Sequence, residues 1–233
     1  MTKRHLIILG ILVLLLLLGG GAWLYVQNQE DIITAGPASS AEIIPGDEWH
    51  TMGNSKAKVV MIEYGAHTCP VCAYFNANAF PELKAKYIDT GKVFYVFRLL
   101  PIDPADGKAA EIADCLPRDK YFPFIDLLWR RQEEWGSEQM GEHGPDFDAA
   151  HQPKTDAGLL KMARAANLEE DKAKTCLAST KLQARINAIA DDAGTRYGIH
   201  STPTLIINGQ VMQAGPRTFD EVAAVIDPIL EGK

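Results

Sequence analysis

The chain has 233 residues, 47% hydrophobic and 23% charged, with 19 Gly and 13 Pro, a balance that excludes wholesale disorder, a collagen-like repeat and a polytopic membrane protein. Its formal charge is −7, and all 30 acids follow the first long apolar run with no basic stripe among them, which argues against nucleic acid as a main partner. Four cysteines, two of them in one C-x-x-C, carry the most specific chemistry.

Leu6 to Val26 is a run of 21 residues without a charge, preceded by Lys3 and Arg4. At ~1.5 Å per residue it spans about 31 Å as a helix, the thickness of a hydrocarbon core. The positive flank keeps the first residues cytoplasmic and delivers everything after Val26 to the other side, and Trp23 and Tyr25 suit the interface. Two readings fit: a retained anchor on the periplasmic side of a bacterial inner membrane, or a signal peptide cleaved after a small-x-small pattern at Gly20 and Ala22. The absence of Cys before Cys69 excludes a lipoprotein. Either reading places the body outside the cytoplasm, where paired cysteines oxidise. Residues 27–45, rich in small and polar residues, read as a tether.

Val59–Tyr64 is a short apolar run of buried-strand type, and Lys92–Arg98 is a second. Between them a helical stripe carries Cys72, Phe75, Ala79, Leu83 and Tyr87, with Pro81 expected to kink it. Strand, helix, strand implies two parallel strands with a right-handed crossover. Pro104 opens a helix to Leu116, Tyr121–Glu134 has helical spacing, and Ala157–Ala166 and Leu182–Tyr197 are further amphipathic helices, the last closed by Gly198. Gly136–Thr155 is polar with Gly and Pro and reads as an exposed loop. The acid-rich 169–171 segment reads as a solvated helix start, and Phe122, Phe124, Trp129 and Trp135 as core. Sheet character returns at Thr204–Ile207, where Asn208-Gly209 signals a type I′ hairpin into 210–213. Thr218 and Glu221 form a capping box for a last helix through Leu230. The sum is an α/β thioredoxin fold interrupted by a helical insertion: residues 46–102 and 191–233 form the two parts of the thioredoxin domain, with 103–190 between them.

Cys69-Pro70-Val71-Cys72 carries the chemistry. A C-x-x-C at a helix start sets the first sulfur among unpaired backbone N–H groups at the positive end of the helix dipole, which favours thiolate over thiol. Pro70 suits the first helical position, where a missing N–H costs nothing. A zinc site would need a second C-x-x-C or paired histidines at ligand spacing, and neither is present. A copper site using His67 with the cysteines is the competing reading, with nothing else in its favour.

These motifs, with Thr202-Pro203-Thr204 immediately before the third sheet segment, resemble the DsbA family of periplasmic thiol–disulfide oxidoreductases over about residues 48–230. The resemblance implies a nucleophilic Cys69, a buried partner Cys72, and Thr202 with a cis Pro203 as the backbone platform for substrate. It also implies that Glu63 is a buried acid that assists proton transfer to Cys72, against the alternative of an exposed carboxylate at a strand end. No cofactor or metal is implied. The implied partners are reduced exported proteins and a membrane redox protein, a quinone-coupled oxidase or a reductase.

One position departs from the strong oxidants of that family, which carry His where Val71 stands here. A histidine there stabilises the reduced thiolate, so its loss implies a milder oxidant. His67 in the turn has two readings, a partial substitute for that histidine or, as is commoner for a lone loop histidine, a solvated side chain. Cys115 and Cys176 are either two small hydrophobes or, as the compartment and the resemblance favour, a structural disulfide.

Overall fold

Seven consecutive residues rich in β-branched and aromatic side chains form each of the two central strands, and all but one of those fourteen residues are buried. In a computed structural model that describes residues 50–136, 145–212, 215 and 217–232, the elements in chain order are β1 (Thr51–Gly53), β2 (Val59–Gly65), α1 (Pro70–Asn78), α2 (Phe80–Leu83), β3 (Val93–Leu99), α3 (Pro104–Asp114), α4 (Arg118–Arg130), α5 (Pro145–Ala165), α6 (Glu170–Leu177), α7 (Gln183–Tyr197), β4 (Thr204–Ile207), β5 (Gln210–Met212) and α8 (Phe219–Glu231). The expected anchor or signal segment and the tether lie outside the described residues. Among those that are described, no helix is long and apolar enough to cross a membrane.

The five strands are ordered β1-β3-β2-β4-β5, with β2 and β3 parallel and the other neighbours antiparallel. Period-two alternation sends Met61, Tyr95, Phe97 and Leu205 into one core cluster and Ile62, Tyr64, Val96 and Ile206 into the other. The first cluster is shared with α1, α2, α8 and the helical insertion; the second is closed by Ile189 and Ala193 of α7 and by Ile199. The expected insertion boundary at residue 190 therefore falls inside a helix that packs on the sheet. A buried cation, Arg98, ties β3 to α7: its Nη1 donates to Tyr64 Oη at 2.7 Å and to Asp192 Oδ2 at 3.2 Å.

Local signals act where expected. Asn208 and Gly209 have φ of 46° and 83°, both in the left-handed region that a type I′ turn needs. Thr218 and Glu221 exchange the two hydrogen bonds of a capping box. The helix after β2 breaks at Ala79, Pro81 falls in the first turn of α2, and a π-helical turn, Lys84–Ile88, follows.

Two sequence expectations need correction. The stretch expected as a loop over 136–155 is helical from Pro145 onward. Pro153 argued against helix there by propensity, but Leu159, Met162 and Ala163 are fully buried on the same element, and packing of that face outweighs local preference. The helix expected over 121–134 ends at Arg130, and a 3₁₀ turn, Gln132–Glu134, continues it. Alpha5 leans on that turn at Gly158, where a Cβ would lie 2.4 Å from the Glu134 carbonyl oxygen.

Candidate active site

The site forms where β2 runs into α1. Cys69 is the N-cap of α1, with extended backbone angles, and its sulfur accepts the Cys72 backbone N–H at 3.3 Å. Pro70 occupies the first turn, so the motif spends no donor that the sulfur could use. Cys69 is 4% exposed and Cys72 is fully enclosed one turn on. In this structure the two are free thiols, whereas Cys115 and Cys176 are joined in a disulfide between the end of α3 and α6.

The surroundings push the two sulfurs in opposite directions. The Cys69 thiol is lowered to about 6, by the hydrogen bond from Cys72 foremost, with burial opposing and the Thr202 side chain and the backbone amides of Cys72 and Val71 adding to the lowering. Burial pushes the Cys72 thiol well above the usual range, and Cys69 and Glu63 push it further. Glu63, on β2 and 1% exposed, is electrostatically coupled to both sulfurs. Burial raises its carboxyl to about 7, although Tyr95 opposes this by donating its hydroxyl to Oε2 at 2.7 Å. The Glu63 carboxylate is therefore enclosed, not an exposed strand end.

Across from α1, the Thr202–Pro203 peptide is cis, and the Thr202 carbonyl oxygen lies 3.6 Å from Cys69 Sγ. Beta2 and β4 are paired neighbours, with Tyr64 opposite Thr204, so the sheet brings the two segments together across 133 residues of chain.

The helical insertion holds the active-site turn through contacts that no local pattern announced. Asp106, fully buried on α3, accepts four hydrogen bonds: from the Thr68 amide at 2.8 Å, the Thr68 hydroxyl at 3.0 Å, and the Ile102 and Asp103 amides at 2.9 and 3.0 Å. Trp129 donates its indole N–H to the Ala66 carbonyl at 3.0 Å, so this tryptophan is more than core filling. Gln132 donates to the carbonyls of His67 and Cys69 at 2.8 and 3.0 Å.

His67, expected to be solvated, is fully buried. Its ring lies 5.8 Å from that of Phe97, tilted by 30°, and Nδ1 is 3.3 Å from the Asp106 carbonyl; burial lowers it to about 4, so at neutral pH it is an uncharged wedge in the turn. It supplies no positive charge in place of the histidine missing at Val71. Among the described residues no group of three or more His, Cys, Asp or Glu is gathered as a metal site.

Comparison with known proteins gives a consistent answer. A sequence model described as "Thioredoxin" matches residues 46–228. A Rickettsia felis protein whose name assigns it provisionally to the protein-disulfide oxidoreductases is 28% identical over 216 residues, covering 88% of this chain and 72% of the relative. A Rickettsia prowazekii protein of the same name is 29% identical over 181 residues, covering 77% of this chain and 61% of the relative. The chain thus spans roughly two thirds of the length of these curated relatives. Among solved structures, Wolbachia pipientis alpha-DsbA1 superposes with a TM-score of 0.67 at 28% identity, over 82% of this chain and 94% of that one.

Proposed function

The chain belongs to the thioredoxin family, in its DsbA-like branch, and from that footing we propose that it is a thiol–disulfide oxidoreductase that introduces disulfides into exported proteins. The observation that carries this reading is the opposed tuning of two sulfurs one helical turn apart: Cys69 lowered to about 6, Cys72 pushed well above the usual range. A dithiol so divided has one sulfur that leaves readily as thiolate and one that holds its proton until it is needed.

In the oxidised protein a substrate thiolate attacks Cys69 Sγ, the Cys69–Cys72 bond breaks, and Cys72 departs and takes a proton from Glu63. A second substrate thiolate then attacks the substrate sulfur of the mixed disulfide; the substrate disulfide forms and Cys69 leaves as a stabilised thiolate. The Thr202 carbonyl serves as the platform. In the thiol state it accepts from Cys69, and once Cys69 is engaged with substrate it is free to accept a substrate backbone N–H in strand-like pairing. Pro203, lacking an N–H, leaves that edge without a competing donor.

Val71 between the cysteines and the uncharged His67 leave the thiolate without a cationic neighbour from the turn, which supports a milder oxidant than relatives with histidine in the motif. The partners of this reading are reduced exported proteins and a membrane redox protein that reloads the Cys69–Cys72 disulfide, a quinone-coupled oxidase for an oxidant or a reductase for the opposite direction. Residues 6–26 then serve as anchor or signal. The test is equilibration of the Cys69–Cys72 pair with glutathione. Reversible exchange that is abolished by Cys69→Ser supports the reading, and a pair inert to glutathione across pH 5–9 removes it.

A further inference from the structure

Glu63 is a buried carboxyl whose two oxygens have different surroundings. Oε2 accepts the Tyr95 hydroxyl at 2.7 Å, while Oε1 is enclosed with no hydrogen-bond partner among the described residues. Buried acceptors are nearly always satisfied, so an unpartnered one on a carboxyl that is electrostatically coupled to both active-site sulfurs calls for an explanation. Tyr95 stands one parallel strand away on the same face of the sheet: it is paired with Met61, two residues before Glu63, and so reaches the carboxyl diagonally. Its ring is held by Phe80 at 4.9 Å and Phe122 at 5.9 Å between ring centres, and it is 2% exposed.

We propose that Tyr95 is a positioning residue of the exchange reaction: its hydroxyl ties off Glu63 Oε2 and leaves Oε1 as the one oxygen that trades a proton with the Cys72 sulfur. The inference rests on the exchange reading above. A carboxyl torsion is broad and nearly two-fold, so an untethered Glu63 would offer either oxygen in several directions. The phenol removes that freedom. Burial and the nearby Glu63 charge hold the phenol well above its ordinary range, so it donates and does not titrate in the working pH window. A donor to the ionised carboxyl also favours ionisation against the cost of burial, and keeps Glu63 able to accept a proton near neutral pH.

In a mixed disulfide between Cys69 and a glutathione thiol, the Cys72 proton passes to Glu63 Oε1, the Cys72 thiolate attacks Cys69 Sγ, the Cys69–Cys72 bond forms, and the glutathione thiolate leaves and is protonated by solvent. The reverse uses the same groups. The titratable groups facing Glu63 are Cys69 and Cys72 at the start of α1 and Tyr95 on β3, with Tyr121 of α4 beyond Tyr95.

The experiment follows this step in the reduced full chain mixed with glutathione disulfide, by quenched-flow trapping of mixed and intramolecular disulfide from pH 5 to 9. Wild type, Tyr95→Phe, Glu63→Gln and the double variant are compared. Tyr95→Phe is expected to slow closure of the disulfide about tenfold at pH 7 and to move the rising limb of its pH profile upward, while the Cys69 thiolate midpoint stays near that of wild type. The double variant is expected to be no slower than Glu63→Gln alone. A purely structural role moves stability without moving the profile. Should Tyr95→Phe not fold, 3,5-difluorotyrosine at position 95, a stronger donor of the same shape, is expected to move the profile downward. An unshifted profile in whichever variant folds, or additive effects in the double variant, overturns the Tyr95 role and leaves the exchange reading standing. A wild-type chain that fails to exchange at any pH overturns both.

Discussion

The side-chain amide of Gln132 donates to the backbone carbonyl of Cys69 at 3.0 Å, across 63 residues of chain, and so fastens the first turn of α1 to the helical insertion. The insertion is thereby part of the active-site scaffold: Gln132, Trp129 and Asp106 together satisfy the turn from Ala66 to Cys69. Gln132→Ala is expected to leave two carbonyls without these donors and to cost about 1 kcal/mol or somewhat more in denaturation of the reduced protein. Disulfide exchange should slow as the turn loosens, because the reacting sulfur needs its geometry held. A variant with unchanged stability and unchanged exchange rate would show that the contact does not brace the site.

How much of this was legible beforehand depended on distance along the chain. Cys69 as a helix cap, Pro70 in the first turn, the Asn208-Gly209 hairpin and the Thr218–Glu221 box are all decided within a few residues, and each stands in the structure as its local chemistry dictates. The burial of His67 and the two hydrogen bonds that Thr68 donates to Asp106 are decided by partners 38 or 39 residues away, and polar residues in a turn or near a helix start look solvated until the partner is known. Asp106 did leave a trace, since Asp103 and Asp106 around Pro104 form a capping box, but that pattern reports the helix start and not the contact with Thr68. Beta1 left less: three residues at the sheet edge, ending in a glycine with φ of 87°, carry too short a pattern to read.

The thiolate predicts a pH dependence of stability with a definite sign. Cys69 in the folded reduced protein is depressed to about 6, below its unfolded value of about 8.5. A depressed acid contributes stability that is present above the unfolded value and is lost as pH falls through the folded one. The oxidised protein lacks this titration. The stability of the reduced form relative to the oxidised form is therefore expected to rise from pH 6 to about pH 8.5 and to flatten below about pH 5, while above about pH 8.5 the raised Cys72 thiol acts in the opposite direction. Parallel denaturation of the two forms across that range, with thiolate absorbance to locate the midpoint, checks it; a midpoint at or above about 8.5 contradicts the assignment.

The Cys115–Cys176 disulfide closes a separation of 61 residues and ties the end of α3 to α6. Cross-linking a loop of that length restricts the unfolded chain, and its loss is expected to cost about 2–4 kcal/mol. The double variant Cys115→Ala/Cys176→Ala should melt earlier while retaining the Cys69 thiolate midpoint and the exchange rate with glutathione. A collapse of exchange at temperatures where the variant remains folded would mean that the bridge tunes the site as well as holding the insertion.

Thr202 gives the last expectation, and it separates the backbone of that residue from its hydroxyl. The carbonyl contact with Cys69 at 3.6 Å survives replacement of the side chain, whereas the lowering of the Cys69 thiol by the Thr202 side chain does not. Thr202→Val keeps the β-branched shape that leads into β4 and removes only the donor. The Cys69 midpoint is then expected to move upward from about 6, and the disulfide should become less oxidising, because a less stable thiolate makes the reduced form less favoured. The larger lowering, from the Cys72 hydrogen bond, remains, so the midpoint should stay below the free-cysteine value. Ultraviolet titration of the thiolate and equilibration with glutathione are the two readings, and they must move together. A midpoint that rises with no change in the glutathione equilibrium would break the link between thiolate stability and redox poise on which the exchange mechanism depends.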